Sequence, residues 1–250
     1  GLPPSPAEVD AFVADPSETA WLATVDRLLN SSAHAEHLTR DWLDFVGYGD
    51  TNAAYVDDER QSWPWRDWVL ASFRANRPLD EFVVRQLAGD LLPGAQEDDV
   101  LGTGLLRMHP TTSEGGVDAQ EWRFQHALDR GRLVGNQLLG FTVHCAQCHD
   151  HKYDPISQRD FFSLVSCFDR VADTGAGSRA EDVVPTVTTA GPLARERQVR
   201  LEARAAVLTA ALAASTVTEA QTRWENTLRT TPARWKDRKS TRLNSSHVAL

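Results

Sequence analysis

The chain has 250 residues, 26 Lys+Arg against 35 Asp+Glu, a formal charge of −9 and 41% hydrophobic residues. A mean hydropathy of −0.40 and 24% charged residues describe a folded chain with enough material for one large or two small cores. The acidic balance argues against phosphate-backbone binding, which needs clustered Lys and Arg. No apolar run reaches the ~20 residues of a membrane span, so nucleic-acid and integral-membrane readings are set aside.

Helix start signals dominate the first 170 residues. Ser5-Pro6-Ala7-Glu8 is a capping box with proline at the first helical position, and Asp15-Pro16-Ser17-Glu18 repeats that grammar for a helix through Leu29. Further helices are predicted from Ala33 to Val46, from Trp63 to Ala75, and after Asp80 as the cap of a helix closed by Pro93-Gly94. The longest is expected from Asp118 to Phe141, with Phe124, Ala127, Leu128, Val134, Leu138 and Phe141 on one face. Ser157-Gln158-Arg159-Asp160 caps another through Cys167, whose thiol is expected inside an apolar face. Val183 to Thr188 reads as a short strand.

The fold class is therefore mainly α: an irregular multi-helix domain with long loops over residues 1–172, a linker over 173–192, and a helical spacer over 193–236. Residues 237–250, from Asp237 to Leu250, resemble translated sequencing-adapter sequence and are read as a non-native tail. That tail holds more basic than acidic residues, so the rest is more acidic still. The start at Gly1-Leu2-Pro3-Pro4 reads as the interior of a longer protein.

Cys145-Ala146-Gln147-Cys148-His149 is the sharpest chemical signal. Two thiols separated by two residues can meet one porphyrin edge, and the adjacent imidazole can reach the iron beneath it, as in c-type haem attachment. With only three cysteines and eight histidines, chance placement is a poor explanation. Zinc or another divalent metal is the alternative, held by the two thiolates with His149 or His151. A second axial ligand to iron would come from Met108, the only methionine, or from His109, His126, His144 or His151. An open position is the remaining option.

Oxygen donors surround the motif. Asp150 and Asp154 follow it and Glu114, Asp118, Glu121 and Asp129 precede it. They suit a divalent ion, but helix capping by Asp118 and pairing with Arg123, Arg130 and Arg132 is the preferred reading. Trp63, Trp65 and Trp68 read as core rather than as a binding face. His34 and His37 lack a third ligand and read as surface residues.

Several blocks resemble the planctomycete-type cytochrome family known as domain of unknown function 1549. They are Leu2-Pro3-Pro4, Asp26-Arg27-Leu28-Leu29, Asp41-Trp42-Leu43-Asp44, Trp65-Arg66-Asp67-Trp68-Val69, Gln86 through Leu91, Glu114-Gly115-Gly116, Asp129-Arg130 and Cys145 through Ile156. The resemblance covers about Leu2 to Val171. It implies an extracytoplasmic protein, periplasmic or extracellular, with covalent haem on Cys145 and Cys148 and His149 as axial ligand. It also implies a redox partner protein and further domains joined to this one, the second of them domain of unknown function 1553. Two positions depart from the family pattern: Phe45-Val46-Gly47-Tyr48 lacks the Arg usual before the Tyr, and His144 stands where a small residue is usual. A c-type haem protein for electron transfer is thus the expectation. A divalent-metal-dependent, hydrolase-like enzyme and a non-catalytic interaction module are the alternatives.

Overall fold

The computed structural model describes residues 2–52, 57–176, 186–213 and 215–230. Within them the chain is mainly α, with ten α-helices and two isolated β-bridges, Thr51 with Glu59 and Thr112 with Ala176. The chain divides into two compact units, Gly1–Glu196 and Arg197–Leu250.

The capping grammar is realised closely. Helix α1 (Pro6–Ala14) starts at a capping box in which Glu8 receives the Ser5 backbone N–H and Ser5 receives that of Glu8. Ser17, not Asp15, caps α2 (Glu18–Leu29), so Pro16 stands before the helix and not at its first position; Ser31 opens α3 (Ser32–Val46), which Gly47 ends in the left-handed region. Pro64 lies in the first turn of α4 (Trp63–Arg74). The cap of α5 (Leu79–Ala88) is Pro78, not Asp80, whose carboxylate lies in the first turn instead. Either place is favourable for an acid near a helix N-terminus.

The first core gathers Val46, Trp65, Trp68, Val69, Phe82, Leu101, Leu105 and Met108, with Trp42 and Phe73 packed against it. The Trp68 and Phe82 rings stack at 5.6 Å, and the buried Trp65 Nε1–H donates to Gly102 O at 3.0 Å. Trp65 and Trp68 are thus core, as expected, whereas Trp63 is only half-buried and donates its Nε1–H to the Gln61 side chain. Short helix α6 (Glu97–Gly102) and the 3₁₀ turn Thr103–Arg107 complete this core. Gly102 and Gly104 lie directly under the Trp68 and Trp65 rings, where a Cβ would crowd the indoles.

Helix α7 (Ala119–Leu133) joins this core to a second one. Its Leu133 touches the first core, while Ala127 and Leu128 pack with Val143, Ala146, Phe161 and Val165. The expected helix to Phe141 is not uniform. After Leu133 it widens into a π-turn, Val134–Leu138, in which the Leu139 N–H donates to Val134 O, and Gly140 then leaves it at positive φ. Gly135 presses on the Val143 methyl groups, and the Asn136 side chain accepts the Val143 N–H at 3.1 Å. The widened turn therefore docks the segment that carries the cysteines. Phe124 and Phe141, assigned to the inner face, are exposed: Phe124 lies outside the core that Ala127 and Leu128 enter, and Phe141 follows the π-turn and Gly140.

Ser157 caps α8 (Gln158–Ser166) in a second capping box, with Asp160. Cys167, expected inside, is exposed: it follows the last turn, past Phe161 and Val165, which fill the core. Two long helices follow, α9 (Gly191–Ala213) and α10 (Ser215–Thr230). No described helix is long and apolar enough to cross a membrane. The residues of the expected strand that are described, 186–188, are not in a strand. Residues 183–185 and 237–250 lie outside the described residues.

Replacing Ser157 by Ala removes one partner of the α8 capping box. An N-cap hydroxyl is worth about 1 kcal/mol, so urea denaturation of S157A should show a loss of that size.

Candidate functional site

Val143–Gln147 forms a 3₁₀ turn, closed by the Cys148 N–H donating to Cys145 O at 3.3 Å. Val143 and Ala146 of this turn enter the second core, so the residues between and after them face outward. Cys145 and Cys148 are both exposed free thiols, and His144 and His149 are exposed too. Arg132 of α7 bonds Asp129 at 2.7 Å and the Gln147 side chain, fixing the turn from below.

His149 has one committed nitrogen. Its Nδ1 lies 2.8 Å from Asp150 O, and a carbonyl can only accept, so Nδ1 carries the proton. Nε2 is then the imidazole's lone-pair nitrogen, the form that ligates a metal. His151 is arranged the other way. Its Nδ1 accepts the backbone N–H groups of Tyr153 (3.3 Å) and Asp154 (2.9 Å), and its side chain is 4% exposed. That nitrogen cannot also donate to the Asp154 carboxylate 3.3 Å away, so we read His151 as the hub of the loop. Asp150 accepts the Gln158 N–H at 2.8 Å and ties the same loop to the start of α8.

The other candidates lie elsewhere. Met108 is 8% exposed in the first core, as a core filler would be. Asp118 caps α7 through the Gln120 and Glu121 N–H groups, and Asp129 pairs with Arg132, so these acids serve the helix. His109 enters a different and wholly buried cluster.

That cluster is His109, His126 and Asp173, each offering one donor atom, all within 4.8 Å of one another. The two imidazoles stack with centroids 4.1 Å apart. His109 Nδ1–H donates to Pro110 O (2.9 Å), leaving Nε2 to accept Arg130 Nη2–H at 3.0 Å. The same Nη2 donates to Asp173 Oδ2 at 2.5 Å, and His126 Nδ1–H donates to Asp173 at 3.0 Å. His126 Nε2 is buried and has no hydrogen-bond partner among the described residues. Burial foremost, then His126 and Arg130, hold the His109 pKa well below the usual imidazole range, so it is neutral. For Asp173, burial alone would raise the pKa, but the bonds from His126, the Gly175 N–H and Arg130 outweigh it and hold the carboxyl far down. The guanidinium occupies the point where Asp173 and His109 Nε2 converge, so Arg130 already supplies the cation there.

Arg130, His126 and Asp173 were not singled out as a cluster from sequence. They lie 43 or more residues apart from Asp173 to α7, and no spacing rule links them. The signal available was the set of polar residues on α7.

Residues 1–173 match the profile of the family PSCyt2, described as "Protein of unknown function (DUF1549)". No curated protein and no solved structure matches the chain.

Proposed function

The chain belongs to the PSCyt2 family, DUF1549, and from the geometry of its Cys-x-x-Cys-His turn we propose that it is a c-type haem protein working in electron transfer. One observation carries this reading. A single rigid turn presents two exposed thiols beside an imidazole whose Nδ1–H is held by Asp150 O, which leaves Nε2 as its basic nitrogen.

The donor set suits the group. Cys145 and Cys148 would form the thioether bonds, and His149 Nε2 would be the axial ligand. Bound haem supplies an iron that cycles between two oxidation states. The chain's own residues fix the platform: Val143 and Ala146 anchor the turn in the core, Arg132 holds Gln147, and Asp150 and His151 shape the exit. His109 is not free for a second axial role, because Nε2 accepts from Arg130 and Nδ1 donates to Pro110. In this reading the protein works outside the cytoplasm, where covalent haem attachment is completed, with a redox partner protein and adjoining domains.

Variants made in a host with c-type maturation machinery test the roles separately. C145S/C148S should carry no haem that survives denaturation. H149A should keep covalent haem with a changed Soret band, because the thiols remain and the axial ligand is lost. Unchanged spectra in both variants would refute the assignment.

A further inference from the structure

Beside the buried cluster lies a cavity of about 180 Å³, walled by Leu105, Leu106, Met108 and Leu133, with His109 and Arg130 on its polar side. Its volume equals roughly six waters at ~30 Å³ each, below the ~300 Å³ at which pockets for larger ligands begin. Only a very small molecule fits.

We propose that this cavity binds a short-chain monocarboxylate of two to four carbons, with its carboxylate on Arg130 and its alkyl chain against Met108 and the leucines. The Arg130 side chain is 2% exposed. Its Nε donates to Leu106 O at 2.9 Å and its Nη2 serves both His109 and Asp173. Nη1 makes no hydrogen bond to a described residue, so the guanidinium of a residue that lines this largely apolar cavity keeps an unused donor.

Arg130 is already paired with Asp173, and Arg107 stands near that pair. Arg60 also enters this region, where its Nη1 donates to the carbonyls of Arg107 and His109, at 3.0 and 2.9 Å, with Asp50 near its guanidinium. The one acid on the cavity wall, Asp129, is engaged by Arg132 at 2.7 Å. A carboxylate is the ligand class that matches a guanidinium edge, and the leucine and methionine walls select an alkyl tail over a hydrated inorganic anion. The inference is independent of haem attachment, since none of Cys145, Cys148 and His149 lines the cavity.

Met108 is the only methionine in the chain, so its ¹³C-labelled methyl group gives a single reporter resonance inside the cavity. Titration of the protein with propionate at constant ionic strength should shift that resonance saturably. Propionamide, equal in shape but uncharged, should bind at least tenfold more weakly, and R130Q should weaken propionate at least tenfold. Because R130Q also disturbs the cluster, L106W is the second variant: it fills the cavity from its rim and should abolish the shift while the circular-dichroism spectrum stays native. No saturable shift with acetate, propionate or butyrate, an equal response to propionamide, or full binding by L106W would each overturn the proposal.

Discussion

Asp173→Asn should destabilise the protein by about 3–5 kcal/mol, the usual cost of leaving a buried charge without its partner. The substitution keeps the shape and removes the charge. Asparagine keeps one acceptor oxygen and turns the other into a donor, so either Arg130, 2% exposed, or the Gly175 N–H loses its acceptor and meets an NH2 group instead. The neutral side chain also leaves the buried guanidinium without its counter-charge. The same carboxylate thus joins α7 to the segment after α8. Urea denaturation followed by tryptophan fluorescence reports the loss, because Trp65 and Trp68 sit in the adjoining core. Removing both charges, in R130M/D173N, should cost less than the sum of the single changes, since neither charge is then orphaned. Additive losses would show that the two side chains do not act as a pair.

The second large effect is a fall in stability as pH drops below about 6.5. His109 is held neutral in the folded protein, chiefly by burial and then by His126 and Arg130, so its folded pKa lies well below the unfolded one. Its stabilising contribution is complete above the unfolded value. Below it the unfolded chain takes up a proton that the folded chain refuses, at up to about 1.4 kcal/mol per pH unit. Asp173 does not contribute to this slope between pH 7 and 5. Its folded pKa is depressed, so its contribution is lost only when pH falls below the unfolded carboxylate value near 4 and on through the folded one. Unfolding free energies measured between pH 7 and 5 should therefore decline in the parent and decline less in H109Q. Glutamine can still accept from Arg130 and donate to Pro110 O, but it does not titrate. Parallel curves for the two proteins would refute the assignment.

Much of the fold was written in local grammar. Ser5, Asp118 and Ser157 each cap the helix that their side chains announce, because a cap needs only the residue and the N–H groups two or three positions on. What escaped reading depends on distant partners. Helix α6 is too short to hold itself. It stands because Gly102 lies under Trp68 and Asp99 pairs with Arg85. The π-turn after Leu133 answers Val143, which lies eight residues past Gly135 and seven past Asn136, and the exposure of Phe124, Phe141 and Cys167 follows from how the second core is filled.

The candidate site divides in the same way. Cys145, Cys148 and His149 are contiguous, so their spacing alone points to chemistry. The buried cluster draws on the residue after Met108, on two turns of α7 and on Asp173, which stands in a Gly-, Thr- and Ser-rich stretch that reads as a linker. A single inward carboxylate there leaves no periodic trace.

The central claim is covalent haem on Cys145 and Cys148. The direct test is an alkaline pyridine spectrum, with a haem stain of the denatured protein, on the full chain exported by a host with c-type maturation machinery. A reduced α-band with stain that survives denaturation is the predicted result. A folded, colourless protein with two titratable thiols in the turn would contradict it.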